Sequence, residues 1–192
     1  PVSVLFAAYH YVTAGTGVPV DYWHMGFHMS GVIVLVFILY PMLRRERSQE
    51  LHANTWWRFA NVPIWDWLLI VAGVASSLYI GITWYEIDFE LLGWRFFLAE
   101  QVLRQGDPAF IDVVFGTVLI AVLLEAVRRT LGIIVPIIIL LFTAYAVFGQ
   151  YMPLMILKHP GINWAQYINN MYFPAEGIYG VTLWIVSTVV FH

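Results

Sequence analysis

The chain has 192 residues, 61% of them hydrophobic and 11% charged, and its formal net charge is −3. Soluble domains run nearer roughly 45–50% apolar and about 25% charged, so a water-soluble globule is excluded and the bilayer is the expected solvent. There is no basic excess to hold nucleic acid, and the lack of cysteine removes disulfides, thiolate metal sites and cysteine nucleophiles.

In chain order, residues 2–13 are apolar and read as the tail of a helix. Pro1 is not an initiator methionine, and the sequence is expected to be part of a longer protein. Residues 23–43 form the first complete span, closed by Tyr40-Pro41 before Arg44-Arg45-Glu46-Arg47. Residues 64–82, 111–127 and 131–151 follow, and 177–192 is a further apolar segment shorter than the roughly 20 residues a crossing needs. Tryptophan and tyrosine gather near the span ends, as in headgroup-level aromatic belts. Phe89, Leu92, Phe96 and Leu103 recur at roughly helical spacing among Glu90, Arg95 and Glu100, which predicts an amphipathic helix over 89–103 lying in the outer interface. A second short loop helix is expected over 164–172. The expected fold is therefore all-α: a polytopic membrane protein of about five to six transmembrane helices plus an outer-face amphipathic helix.

Loop charge sets the orientation. The loop 44–62 carries Arg44, Arg45, Arg47 and Arg58, and the turn at 128–132 carries Arg128 and Arg129. The stretch 83–112 is acidic, with Glu86, Asp88, Glu90, Glu100, Asp107 and Asp112 against Arg95 and Arg104. The positive-inside rule puts 44–62 and 128–132 in the cytoplasm and 83–110 and 152–176 outside.

Few groups invite a chemical role. His24 and His28 stand at i, i+4 on one helix face, with His10 nearby in sequence. That spacing can hold a metal, and histidines on different helices can ligate haem. The plainer reading is polar residues near a helix end bonded to their neighbours, because no further ligand is evident. Glu125 precedes Arg128 and Arg129 by one turn, which suits an ion pair where a helix meets the cytoplasm, or else a proton-relay carboxylate. Glu176 sits just before an apolar span, where the helix dipole favours an acid, and Gly177 and Gly180 permit close helix approach. The pair of glycines reads as a packing element or as a contact for a partner or gate. No glycine-rich phosphate loop, His-Glu-x-x-His or Gly-x-Ser-x-Gly occurs, so no enzyme is expected.

The string Leu-Glu-Ala-Val-Arg-Arg-Thr-Leu-Gly-Ile-Ile-Val-Pro-Ile at 124–137 is followed by Tyr-Ala-Val-Phe-Gly at 145–149, His-Pro-Gly at 159–161 and Glu-Gly-Ile-Tyr-Gly at 176–180. In this order the four motifs resemble the fused permease of tripartite ATP-independent periplasmic (TRAP) transporters, in the branch served by a TAXI-type solute-binding protein. The opening stretch 5–40 is similar to the family's first segment. The resemblance departs after Gly180, where Val181-Thr182-Leu183-Trp184 replaces the family's usual proline and Gly-Val-Ser-Ala-Thr run. It implies a small-subunit-like membrane region over 1–105 and the start of the large transport subunit over 106–192. It also implies a bacterial or archaeal cytoplasmic membrane, a periplasmic binding protein and the rest of the permease as partners, no cofactor, and Na⁺ or H⁺ as coupling ion. Substrate and ion sites would then lie downstream of His192. The rival expectation is a haem-binding membrane anchor of a redox complex using His10, His24 or His28.

Overall fold

In the computed structural model, residues 2–17, 21–42, 58–59, 62–91, 93–173 and 177–188 are described. Helices α1 (Val2–Thr16) and α2 (Asp21–Leu39) come first. Next is a minimal antiparallel ladder of β1 (Arg58–Phe59) with β2 (Val62–Pro63), leading directly into α3 (Ile64–Ile82). Strands β3 (Ile87–Leu91) and β4 (Trp94–Leu98) and a one-turn helix α4 (Gln101–Arg104) lead to α5 (Phe110–Leu131) and α6 (Ile134–Phe148). Two 3₁₀ turns at Gly149–Tyr151 and Met155–Leu157 precede α7 (Trp164–Tyr172) and α8 (Val181–Thr188).

Four helical stretches among the described residues are long and apolar enough to cross a bilayer: Tyr22–Leu39, Ile64–Ile82, Phe110–Leu131 and Ile134–Tyr151. They fall where hydrophobicity placed them, and their ends have local causes. α2 stops at Leu39 because Pro41 disfavours helical backbone at Tyr40. α5 runs through its charged last turn to Leu131, four residues past the expected end, and breaks where Gly132 takes φ +88°. Two residues then suffice to reverse the chain. Pro136 falls in the first turn of α6, where its missing N–H breaks no bond.

The helix expected over 89–103 is instead a β-hairpin. Ile87 pairs with Leu98, Phe89 with Phe96 and Glu90 with Arg95 around a turn whose Gly93 has φ +80°. Alternation at period two, with the acids at 88 and 90 separating Ile87, Phe89 and Leu91, outweighs the accidental helical spacing of Phe89, Leu92 and Phe96. Among the described residues of that stretch only those in α4 are helical. The short amphipathic helix of the connecting loops is α7, capped by Asn163, whose side chain accepts the Gln166 N–H at 2.7 Å.

Small residues bring the spanning helices together. A Cβ on Gly26 of α2 would lie 2.6 Å from the Ser77 carbonyl oxygen of α3, and Ser30 Oγ meets Ser77 Oγ at 2.7 Å. Gly81 faces Trp23, and Gly73 faces Ile33 and Val122. α5 carries the pattern on, with Gly116 against Ile168 and Tyr172 of α7. Lipid offers apolar side chains as good a solvent as a neighbouring helix does, so close backbone approach and interhelical hydrogen bonds decide which faces pair. α6 shows the contrast: among its residues only Pro136 is buried, and Ile134, Leu140, Leu141 and Phe142 are exposed for lipid or other membrane helices.

Replacing Gly26 by Ala should push α2 from α3 against a backbone oxygen and destabilise the protein by about 1–3 kcal/mol. Gly15→Ala, with nothing within 4 Å of its Cβ position, should be neutral or slightly stabilising. Thermal unfolding of both variants in detergent checks the pair.

Candidate functional site

The densest charge cluster lies where the C-terminal ends of α2 and α5 meet the first turn of α3. Arg129 is at its centre, with its side chain only 5% exposed. Its Nε donates to Glu125 Oε1 at 2.7 Å and its Nη1 to the Tyr40 carbonyl at 3.2 Å. Its Nη2 stands 2.8 Å from Oδ1 of the fully buried Asp66. The guanidinium also covers the Phe37 ring, 4.6 Å from its centroid. Arg128 binds Glu125 from the exposed side in bidentate fashion, Nε to Oε2 at 2.7 Å and Nη2 to Oε1 at 2.8 Å. Asp66 accepts the Met42 N–H at 3.0 Å through Oδ2, which secures the chain leaving α2. Both Glu125 oxygens are thus engaged by guanidinium donors, an arrangement that fixes the carboxylate's position.

A second buried network occupies the opposite end of α3 and α5. Arg104 Nη1 pairs with Asp112 Oδ1, which also accepts the Tyr79 hydroxyl at 2.6 Å. Oδ2 of Asp112 accepts the Ala109 N–H at 2.8 Å, closing the start of α5. Arg104 Nη2 donates to the Thr83 carbonyl at 3.3 Å. The Tyr172 and Tyr179 hydroxyls donate to the carbonyls of Ser76 and Ser77, so this end of α3 is tied to the last residue of α7 and to the segment that follows it. These bonds cross the boundary near residue 105 that the family resemblance implies.

Three imidazoles converge where α1, α2 and α8 meet. His10 Nε2 and His28 Nδ1 are 3.0 Å apart, one ring donating to the other. His24 lies between the Ser187 carbonyl, 2.8 Å from Nε2, and the Tyr9 hydroxyl, 3.0 Å from Nδ1. A carbonyl can only accept, so Nε2 carries the proton and Nδ1 accepts from Tyr9. All three rings are buried. Among the described residues no group of three or more His, Asp or Glu side chains has metal-binding geometry.

Two of the quoted motifs interlock. The imidazole of His159 lies over Gly149, where a Cβ would sit 1.9 Å from Nε2. That Nε2 donates to the Tyr145 carbonyl at 3.0 Å, and Nδ1 accepts the Gly161 N–H at 3.0 Å. The Tyr145 hydroxyl returns to the Leu157 carbonyl at 2.7 Å. The residues 145–149 and 157–161 therefore form one clasp that ends α6. Gly177 presses on the end of α7, where a Cβ would stand 2.4 Å from the Met171 oxygen, and Gly180 accepts the Trp184 N–H at 3.1 Å. Glu176 lies outside the described residues.

Models of known protein families give no match to the chain. Neither the curated proteins nor the solved structures contain a match.

Asp66, Arg104, Asp112 and Tyr79 are not among the residues singled out from sequence. The signal was present for Asp66, an acid inside a predicted span, where a charge needs a partner. Arg104 and Asp112 entered only as loop charges, because nothing in the sequence shows that they leave water.

Arg129→Ala should destabilise the protein by about 3–5 kcal/mol, since it strands buried Asp66 without a counter-charge. Arg129→Lys should restore little, because one ammonium cannot reach three separated partners. The exposed Arg128→Ala should cost about 0–1 kcal/mol. Chemical or thermal unfolding in detergent would reveal this order, and near-equal effects of the 128 and 129 variants would contradict it.

Proposed function

We propose that the chain is the N-terminal, scaffold-forming membrane portion of a TRAP–TAXI permease, a secondary importer of small organic acids driven by a Na⁺ or H⁺ gradient. The observation that carries this reading is the ordered set of four motifs between residues 124 and 180. Three of them meet specific structural needs in this chain. Residues 124–137 supply the buried arginine and the two-residue reversal between α5 and α6, while 145–149 and 159–161 build the clasp after α6. Two of the motifs, 145–149 and 159–161, are thus interdependent by packing as well as close in sequence. Four apolar helices of spanning length agree with a membrane permease. The dense bonding at both ends of α3 and α5 suits a static frame, with the ion and substrate sites expected downstream of His192. In this reading the loops 83–110 and 152–176 face a soluble binding protein in the periplasm of a bacterium or archaeon.

The convergence of His10, His24 and His28 favours one other reading, a haem-holding membrane anchor. Its difficulty is geometric, because the His10 and His28 nitrogens are bonded to each other. An absorption spectrum of purified protein separates the two. A Soret band would favour the anchor.

Reconstituted in proteoliposomes, the complete permease containing this segment should take up a labelled small organic acid only with both an imposed Na⁺ or proton gradient and its binding protein. Uptake that needs neither would refute the proposal.

A further inference from the structure

The β3–β4 hairpin has two chemically distinct faces. Register and alternation put Ile87, Phe89, Trp94, Phe96 and Leu98 on one face, and the Phe89 and Phe96 rings meet with centroids 5.3 Å apart. The other face carries Asp88, Glu90, Arg95 and Phe97. There Arg95 Nε donates to Asp88 at 2.9 Å, and the guanidinium holds that carboxyl below its ordinary range. At the base of the apolar face Leu98 is buried in the helix core and Ile87 packs against it. Toward the turn the same face emerges uncovered, with Phe89 50% and Trp94 82% exposed.

A two-stranded hairpin standing alone in water is marginal at best, and an open face of aromatics makes it more so. This one is not free to leave the membrane. It begins five residues after the last residue of the α3 span and returns through α4 to the α5 span at Phe110. The base of its apolar face rests on the end of the bundle, and the outer half of that face overhangs uncovered. The overhang is composed of Trp and Phe, the residues whose apolar bodies suit the headgroup level.

We propose that the hairpin is a membrane-interface paddle. Its Phe89–Trp94–Phe96 face lies in the headgroup and upper acyl region beside the bundle, and its Asp88–Glu90–Arg95 face is turned to water. Ile82, the last residue of the neighbouring span, is itself 51% exposed, so in this arrangement lipid meets both that helix end and the paddle. The polar face is then the surface this loop offers to any soluble partner.

The chain has no cysteine, so single spin labels can be placed without background. Phe89→Cys, Trp94→Cys and Phe96→Cys on one face, and Glu90→Cys and Phe97→Cys on the other, would each be labelled with a nitroxide. The protein would be reconstituted alone in phosphatidylcholine–phosphatidylglycerol vesicles. Collision with oxygen should exceed collision with a water-soluble nickel chelate at 89, 94 and 96, and the order should reverse at 90 and 97. Preferential access of the chelate at all five sites would overturn the proposal and leave the apolar face to a soluble protein. Labels at 89, 94 and 96 shielded from both reagents would also overturn it, in favour of a second copy of the chain. Five sites on two faces keep the test readable if one substitution disturbs the turn.

Discussion

A guanidinium within an apolar helix bundle has to be neutralised, and the way Arg129 meets that demand fixes much of the architecture. Asp66 supplies the buried counter-charge from α3, Glu125 a second from its own helix, and the Tyr40 carbonyl the remaining acceptor from the end of α2. Each partner comes from a different part of the chain. Meeting the demand therefore brings three helix ends together at one depth and one angle. Apolar packing could not do this alone, because lipid and protein side chains solvate each other about equally.

The opposite end repeats the logic with different parts. Arg104 and Asp112 are close in sequence, and their pair is completed by Tyr79 from α3. Between the two charge clusters the glycine and serine contacts of α2, α3 and α5 let backbones approach closely. The result is a helix group tied at both ends and slim in the middle, with α6 set to one side on a two-residue reversal and a histidine clasp. Such a group resists sliding, as the frame proposed above would require.

The span positions were legible in the sequence because a bilayer imposes a long, unbroken apolar run that short-range context cannot hide. The turn at Glu125–Gly132 was legible for the same reason, since charges in such a run must sit at its edge and pair. The hairpin at Ile87–Leu98 was not, because Phe89, Leu92 and Phe96, spaced three and four residues apart, mimic a helix face while Phe97 interrupts the strand alternation. The buried roles of Arg104 and Asp112 were hidden by proximity to span ends, where a charge is equally at home in water, and Asp66, although inside an expected span, gave no sign of which residue it pairs with. Their partners are set by tertiary contact. The convergence of three histidines likewise depends on α8 reaching α2, which no spacing within residues 10–28 encodes.

Ribosomal order gives the Arg129 cluster a further meaning. Asp66 is made, and its helix threaded into the membrane, before Arg129 emerges, so α3 waits with an acid lacking its counter-charge. Until α5 arrives, that first turn is best kept at the water boundary, where Asp66 stays hydrated. The Arg104–Asp112 pair needs no such delay, since both members leave the ribosome within a few residues of each other. The Arg104–Asp112 pair can thus form before the Arg129 cluster, which is complete only once the end of α5 has arrived.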